Sequence, residues 1–268
     1  MSASCCSAPT SSTRVLSFEG GCNFRDIGGY ATAQGRTVRW GQVFRAGVLS
    51  YFKPADHAQL HRLKVRAICD LRRAEERAKE PTRWPDDASE SLAFEDGTDM
   101  PTIRAFAALR PQTAEGMFAA MIDLYRALPR WMSGRIRGMF ECLSHGRLPM
   151  VVHCAAGKDR TGIAIGFLLA DLGVDRTTII EDYLLTNQSD FEAFIRNQHE
   201  AQLGLADRNH PLLAMPADMR KVLLSAQPEF LRASFEAVDQ VGGLDAFLRD
   251  ECQIPDVVRK KARETLLT

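Results

Sequence analysis

The chain has 268 residues, 45% apolar and 25% charged, which suffices for one large core or two small ones and excludes a largely disordered chain. Its 34 basic and 34 acidic residues cancel, so bulk charge points to neither a nucleic-acid wrapper nor a protein lying on an anionic membrane, and any anion recognition must be local. The seven cysteines, Cys5, Cys6, Cys22, Cys69, Cys142, Cys154 and Cys252, contain no CxxC pair, which argues against a disulfide framework or zinc ribbon and for a reducing compartment.

Residues 1–13 are Ser, Thr, Cys, Ala and Pro with little to bury, and read as a disordered tail ahead of a single domain at 14–268. No apolar core of signal-peptide length opens the chain, and its longest apolar run, Ile163 to Ala170, is far short of the ~20 residues that span a bilayer, so a cytoplasmic protein is expected, with secretion by another route left open. From Val15 to Val48, short β-like runs between glycines suggest a small antiparallel hairpin. Lys53-Pro54 opens a helix, Val65 to Leu71 reads as a buried strand, Arg72 to Glu80 as a charged helix, and Ser91 to Glu95 as a weak strand. Met100 to Leu128 reads as one or two helices and Arg130 to Ser144 as another. Leu148 to His153 is the strongest buried strand, followed by an apolar helix at Gly162 to Leu172 and a helical part that runs to the end. The alternation predicts an α/β fold with a central, mostly parallel sheet flanked by helices, and a helical C-terminal part over 188–268.

The chemistry is concentrated at His153-Cys154-Ala155-Ala156-Gly157-Lys158-Asp159-Arg160-Thr161-Gly162, where a strand ends and a helix begins. Small residues let the backbone of 155–160 curl into an anion nest at the positive end of the helix. The same field lowers a thiol pKa from ~8.5 into the ~3.5–7.5 range, which makes Cys154 a candidate nucleophile. Arg160 can fork onto two phosphate oxygens, and Thr161 is placed to hydrogen-bond the sulfur as it leaves. The expected phosphate-binding set is therefore Ala155, Ala156, Gly157, Lys158, Asp159 and Arg160, and the expected reaction is attack of sulfur on phosphorus followed by hydrolysis of a phosphocysteine, with neither metal nor cofactor.

This string resembles the HCxxGxxRTG signature of the cysteine-dependent protein tyrosine phosphatase superfamily in every fixed position. The GKDRTG ending is similar to that of its atypical bacterial and fungal branch, tyrosine phosphatase family 3, the mycobacterial protein tyrosine phosphatase B-like group. Asn23-Phe24-Arg25-Asp26-Ile27-Gly28-Gly29 resembles that group's opening NxRDxGG, Phe44-Arg45-Ala46-Gly47 its FRSG-like strand, Asp70-Leu71-Arg72 its DLR, and the Phe230-Leu231 to Phe247-Leu248 stretch its closing helices. The resemblance runs from about residue 14 to the end. It implies a cysteine-phosphatase-like fold, a helical lid for which 100–128 is the candidate, with plain core packing of its Met and Phe stripe as the other reading, and hydrolysis of phosphotyrosine. Phosphoinositide or broader dual-specificity hydrolysis is the alternative, because loop lysines help hold extra phosphates in phosphoinositide phosphatases, although Lys158 reads equally as a solvated loop residue. An inactive phosphate-binding module is more remote, since Cys154, Arg160 and Thr161 are all present. A sulfurtransferase loop would be shorter and lack Arg-Thr-Gly.

The leaving group needs a proton donor. The resemblance implies Asp159, supported by Asp70; Asp96, at the end of the weak strand, stands where dual-specificity and tensin-type lipid phosphatases keep their acid. Trp84-Pro85-Asp86 spells the acid-loop motif of other tyrosine phosphatases but lies far from the usual spacing. His153, by resemblance, orients the loop and tunes the thiolate, while Asn23, Arg25 and Asp26 are expected to brace the loop or the first strand. Cys69 is a possible resolving thiol for Cys154, or plain core. His57 and His61 have metal-ligand spacing with no third partner nearby, so no metal site is expected. Arg259-Lys260-Lys261-Arg263 reads as a solvated helix face. The expected partner is a phosphotyrosine protein or phosphoinositide substrate, with no nucleic acid and no integral membrane segment.

Overall fold

Five short strands, β1 (Arg25–Asp26), β2 (Val43–Ala46), β3 (Ala67–Asp70), β4 (Glu90–Ala93) and β5 (Met150–His153), pair in the order β1-β2-β5-β3-β4. The computed structural model describes residues 14–85, 89–94, 101–203 and 211–268. The expected tail at 1–13, and both Asp86 and Asp96, lie outside the described residues. Only β1 is antiparallel, to β2; β2, β5, β3 and β4 run parallel, which matches the mixed, mostly parallel sheet expected from the alternating pattern. The register sets Ala46, His153 and Asp70 side by side at the carboxyl ends of the three central strands, the edge where open α/β sheets bind ligands.

Helices α1 (Pro54–Arg62), α2 (Ala74–Lys79), α3 (Ile103–Ala108), α4 (Ala114–Trp131) and α5 (Ser133–Ser144) precede β5. After it come α6 (Asp159–Asp171), α7 (Arg176–Leu184), a 3-10 turn at Leu185–Gln188, α8 (Phe191–Leu203), α9 (Pro211–Ala214), α10 (Ala217–Leu224), α11 (Pro228–Asp239), α12 (Gly243–Ala246), a π turn at Phe247–Glu251 and α13 (Asp256–Leu266). None of the described helices is long and apolar enough to cross a membrane. The apolar run expected of α6 is the centre of the core, with every residue from Ile163 to Leu169 buried and Phe167 packed on Phe235 and Phe247.

The stretch proposed as a lid divides in two. Met117, Met121, Leu124 and Leu128 form the buried stripe of α4, which packs into the core and stacks Phe118 and Tyr125 on Phe230 of α11. A core helix and a lid both require apolar residues at helical spacing, and here the stripe is core. In the basic run on α13, Lys260 and Lys261 are exposed as expected of a solvated face, but Arg259 is buried against Asp171, with its Nε 2.8 Å from Asp171 Oδ1, and Arg263 Nη2 reaches the same oxygen at 2.6 Å.

Pro129 continues the last turn of α4, where its missing N–H leaves the Tyr125 carbonyl without a helical donor. Ser234 of α11 fills the gap, its buried hydroxyl donating to Tyr125 O at 2.7 Å. Ser234→Ala is therefore expected to destabilise the protein by about 1–3 kcal/mol, the cost of a buried unsatisfied carbonyl. The denaturant midpoint should fall with the slope unchanged; an unaltered midpoint would show that this bond contributes nothing.

Candidate active site

Beyond β5 the backbone turns sharply at Gly157, whose φ of +67° suits glycine and whose added Cβ would stand 2.4 Å from the Ala46 carbonyl oxygen. The carbonyls of this loop all face outward onto donors. Ala155 O accepts from Val48 N at 2.8 Å, Ala156 O from Asn23 Nδ2 at 3.1 Å, and Gly157 O from Asn23 Nδ2 at 2.8 Å and Arg45 Nη2 at 2.9 Å. The N–H groups of Ala155 to Arg160 find no acceptor among the described residues. Fixing the carbonyls on one side leaves the N–H groups of the same peptides for the other, which is how an anion nest is built.

The donors are themselves held by one buried carboxylate. Asp182 of α7 accepts Arg45 Nη1 at 2.7 Å, Arg25 Nε at 3.2 Å and the Tyr30 hydroxyl at 3.0 Å. Burial raises its pKa, but the charges of Arg25 and Arg45 outweigh this and hold it at about 2. Asn23, itself at a left-handed φ of +54°, accepts Arg25 Nη1 on its side-chain oxygen. Asn23 and Arg25 thus brace the loop, whereas Asp26 serves the first strand, accepting Gly28 N at 2.7 Å and Gly41 N at 2.6 Å.

Cys154 is nearly inaccessible (1%) at the foot of the loop. Behind it His153 is fully buried, with Nδ1 3.3 Å from Cys154 O and Nε2 3.4 Å from Asp70 Oδ2. Asp70 is also gripped by Arg72, through Nε at 2.9 Å and Nη2 at 2.7 Å. Burial opposes its charge, yet the hydrogen bonds from Arg72 and His153 hold Asp70 far below the usual carboxylate range. Asp70 is thus buried against His153 and Arg72, where it braces His153, and it is not among the residues that line the cavity above the loop.

Arg160 is held by a partner that sequence reasoning missed. Its two terminal nitrogens each lie 2.7 Å from an oxygen of Glu76 on α2, a bidentate pair across 84 residues of chain. Burial raises the Glu76 pKa, but the Arg160 hydrogen bonds prevail and bring it to about 2. The Thr161 hydroxyl is buried without a hydrogen-bond partner, so the bond expected to the Cys154 sulfur is not formed in this state.

Asp159 opens α6 and is partly exposed; its Oδ1 accepts the Tyr125 hydroxyl at 2.7 Å, and Tyr125 in turn meets the Tyr183 hydroxyl at 2.6 Å. Lys158 takes a different course from the one expected of a phosphate ligand. Its side chain is buried, with Nζ bonded to Leu223 O and, at 3.2 Å, to Ser225 O. Cys69 lies in the core beside Cys142; the thiol that feels the Cys154 charge is Cys22, raised first by burial and then by Cys154.

Above the loop lies a cavity of about 500 Å³, walled by Ala155, Ala156, Lys158, Asp159, Glu76, Glu80 and Tyr51 and roofed by apolar side chains, Phe191, Phe194 and Ile195 of α8 with Leu223 and Leu224 of α10. Of the expected lid, Ile103 alone among the described residues reaches it. Among the described residues no group of three or more His, Cys, Asp or Glu is arranged to hold a metal, His57 and His61 included. A floor of free backbone amides, a thiol and a fixed guanidinium can bind a tetrahedral oxyanion and attack it, beneath an apolar roof that suits an aromatic group.

Comparison with known proteins agrees with this chemistry. The profile described as "Tyrosine phosphatase family" matches residues 16–268. A Cupriavidus necator protein named as a candidate tyrosine-protein phosphatase is 34% identical over 246 residues, covering 89% of this chain and 84% of the relative. The triple specificity protein phosphatase PtpB of Mycobacterium tuberculosis is 31% identical over 263 residues, covering 88% of this chain and 93% of that one.

Because Asp182 is the carboxylate paired with two buried guanidinium groups, Asp182→Asn is expected to destabilise the protein by about 3–5 kcal/mol at neutral pH. Its folded pKa of about 2 lies below the ordinary 3.8, so the stability it contributes is fully present above pH 3.8 and is lost as the pH falls through about 2. Denaturant midpoints measured from pH 5 to 2 should decline in the native protein and decline less steeply in the variant. Parallel curves would contradict the assignment.

Proposed function

The chain belongs to the tyrosine phosphatase family and is a protein tyrosine phosphatase, and we propose that it hydrolyses phosphotyrosine through a phosphocysteine on Cys154. The observation that carries this reading is the outward set of loop carbonyls at 155–157, which leaves the loop N–H groups to receive phosphate oxygens over the buried sulfur. In the first step the Cys154 thiolate attacks phosphorus, the P–O bond to tyrosine breaks, and the phenolic oxygen takes a proton from Asp159. Arg160, oriented by Glu76, forks onto two of the phosphoryl oxygens, whose charge grows toward the transition state. In the second step water attacks phosphorus, Asp159 receives its proton, and Thr161, whose hydroxyl is uncommitted, donates to the departing sulfur.

Asp159 suits the donor role because it borders the cavity and remains partly exposed, while Asp70 is buried and paired. The apolar roof suits an aryl phosphate. Phosphoinositide hydrolysis loses its main support, because the Lys158 ammonium is turned to backbone carbonyls. A cytoplasmic location is supported by the cysteines among the described residues, which are all buried free thiols.

Phosphate release in EDTA, from a phosphotyrosine peptide and from phosphatidylinositol monophosphate, tests the reading. Release should favour the peptide and vanish in Cys154→Ser; lipid preference, or activity surviving that substitution, would refute it. Asp159→Asn should slow the peptide by about 100-fold or more, within the range of general acid catalysis, and p-nitrophenyl phosphate by far less. Equal slowing of both would remove Asp159 from the acid role.

A further inference from the structure

The side chain of Lys158 starts in the cradle loop and ends at another element. Its ammonium carries three N–H donors and meets three oxygens: Leu223 O, Ser225 O at 3.2 Å, and Asp159 Oδ1 at 3.4 Å. It is 2% exposed, its two hydrogen bonds go to those carbonyls, and Asp159 is its ion-pair partner. Leu223 and Ser225 close α10, where carbonyls without helical partners carry the negative end of the helix dipole and attract a cation. The side chains of Leu223 and Leu224 at that same helix end line the roof of the cavity.

We propose that Lys158 is a positioning residue that fastens the α10 end of the roof to the cradle loop, and thereby sets the size of substrate the enzyme accepts; its bearing on specificity rests on the phosphatase reading above. The attachment is made on the loop side by Lys158 and on the far side by Asn187, whose amide exchanges two hydrogen bonds with the backbone of Ala226, at 2.9 and 2.7 Å. With both in place, Leu223 and Leu224 are held over the loop. Loss of the ammonium frees two part-buried carbonyls, which favours local opening of α10 toward water. A lysine that read a second phosphate would need its ammonium free in the cavity, and the geometry points the other way.

Hydrogen exchange in the ligand-free protein tests the fastening without any turnover. In Lys158→Met, amides of 217–226 should exchange about tenfold faster or more, the scale of two lost charge-assisted bonds, while β5 and α11 keep native rates. Lys158→Gln, which retains an uncharged NH2 donor group, should fall between Met and the native protein, and remains informative if the Met variant folds poorly. Asn187→Ala, which loosens the same segment from the opposite side, should accelerate the same amides. In turnover, Lys158→Met should raise kcat/KM for a phosphotyrosine peptide relative to p-nitrophenyl phosphate several-fold. Native exchange at 217–226 in both Lys158 variants would overturn the proposal, and a selective loss of phosphatidylinositol phosphate hydrolysis with native exchange would make Lys158 a phosphate reader instead. If the native protein turned over neither ester, the phosphatase reading would fail while the exchange result still decided the fastening.

Discussion

The phosphate cradle depends on carbonyls that face away from it. Three consecutive carbonyls, of Ala155, Ala156 and Gly157, are taken by Val48, Asn23 and Arg45, and Asp182 keeps Arg45 and Arg25 in place. Two guanidinium groups and one carboxylate in a dry interior leave a surplus of positive charge behind the loop. Such a surplus is costly by itself and is offset when an anion, thiolate or phosphate, lies on the loop's other face. Folding stability and anion affinity are thus set by the same buried ions.

A second layer of pairs orients the reacting groups. Arg72 and His153 fix Asp70, which in turn steadies the residue preceding the thiol, and Glu76 presents Arg160 as a fork. On the opposite side, Tyr125 holds Asp159 and Lys158 reaches the roof. Tyr125 owes its place to α4, whose proline at 129 is tolerated because Ser234 supplies the missing donor. The loop is therefore fastened to β1, β2, α4, α7 and α10, while the cavity side stays open for substrate.

Local features of the fold and site could be read in the sequence, and partners distant in the chain could not. The buried strands at 67–70 and 150–153 and the Cys154 to Arg160 spacing are patterns within a few residues, and each is where the pattern places it. Glu76 meets Arg160 across 84 residues, and Asp182 meets Arg25 across 157, so neither pairing has a spacing signal. Asp70 was legible in part: the arginine two positions on is the sign of a paired carboxylate rather than a free acid. Lys158 and the α4 stripe each admit two readings in the sequence for one reason, since residue type gives polarity and period but not direction. A lysine next to an arginine suggests a second anion ligand, and only the position of α10 shows that its carbonyls compete successfully for the ammonium.

All of this converges on one chemical event, transfer of the phosphoryl group to the Cys154 sulfur before water sees it. Rapid acid quench of the enzyme with a phosphotyrosine substrate, followed by mass spectrometry of the peptide that contains Cys154, observes that event directly. The account predicts a phosphoryl group on Cys154 that forms within the first turnover, decays with release of phosphate, and is absent in Cys154→Ser. Steady phosphate release under the same conditions with no phosphoryl group ever found on Cys154 would mean that water attacks the substrate directly, and would contradict it.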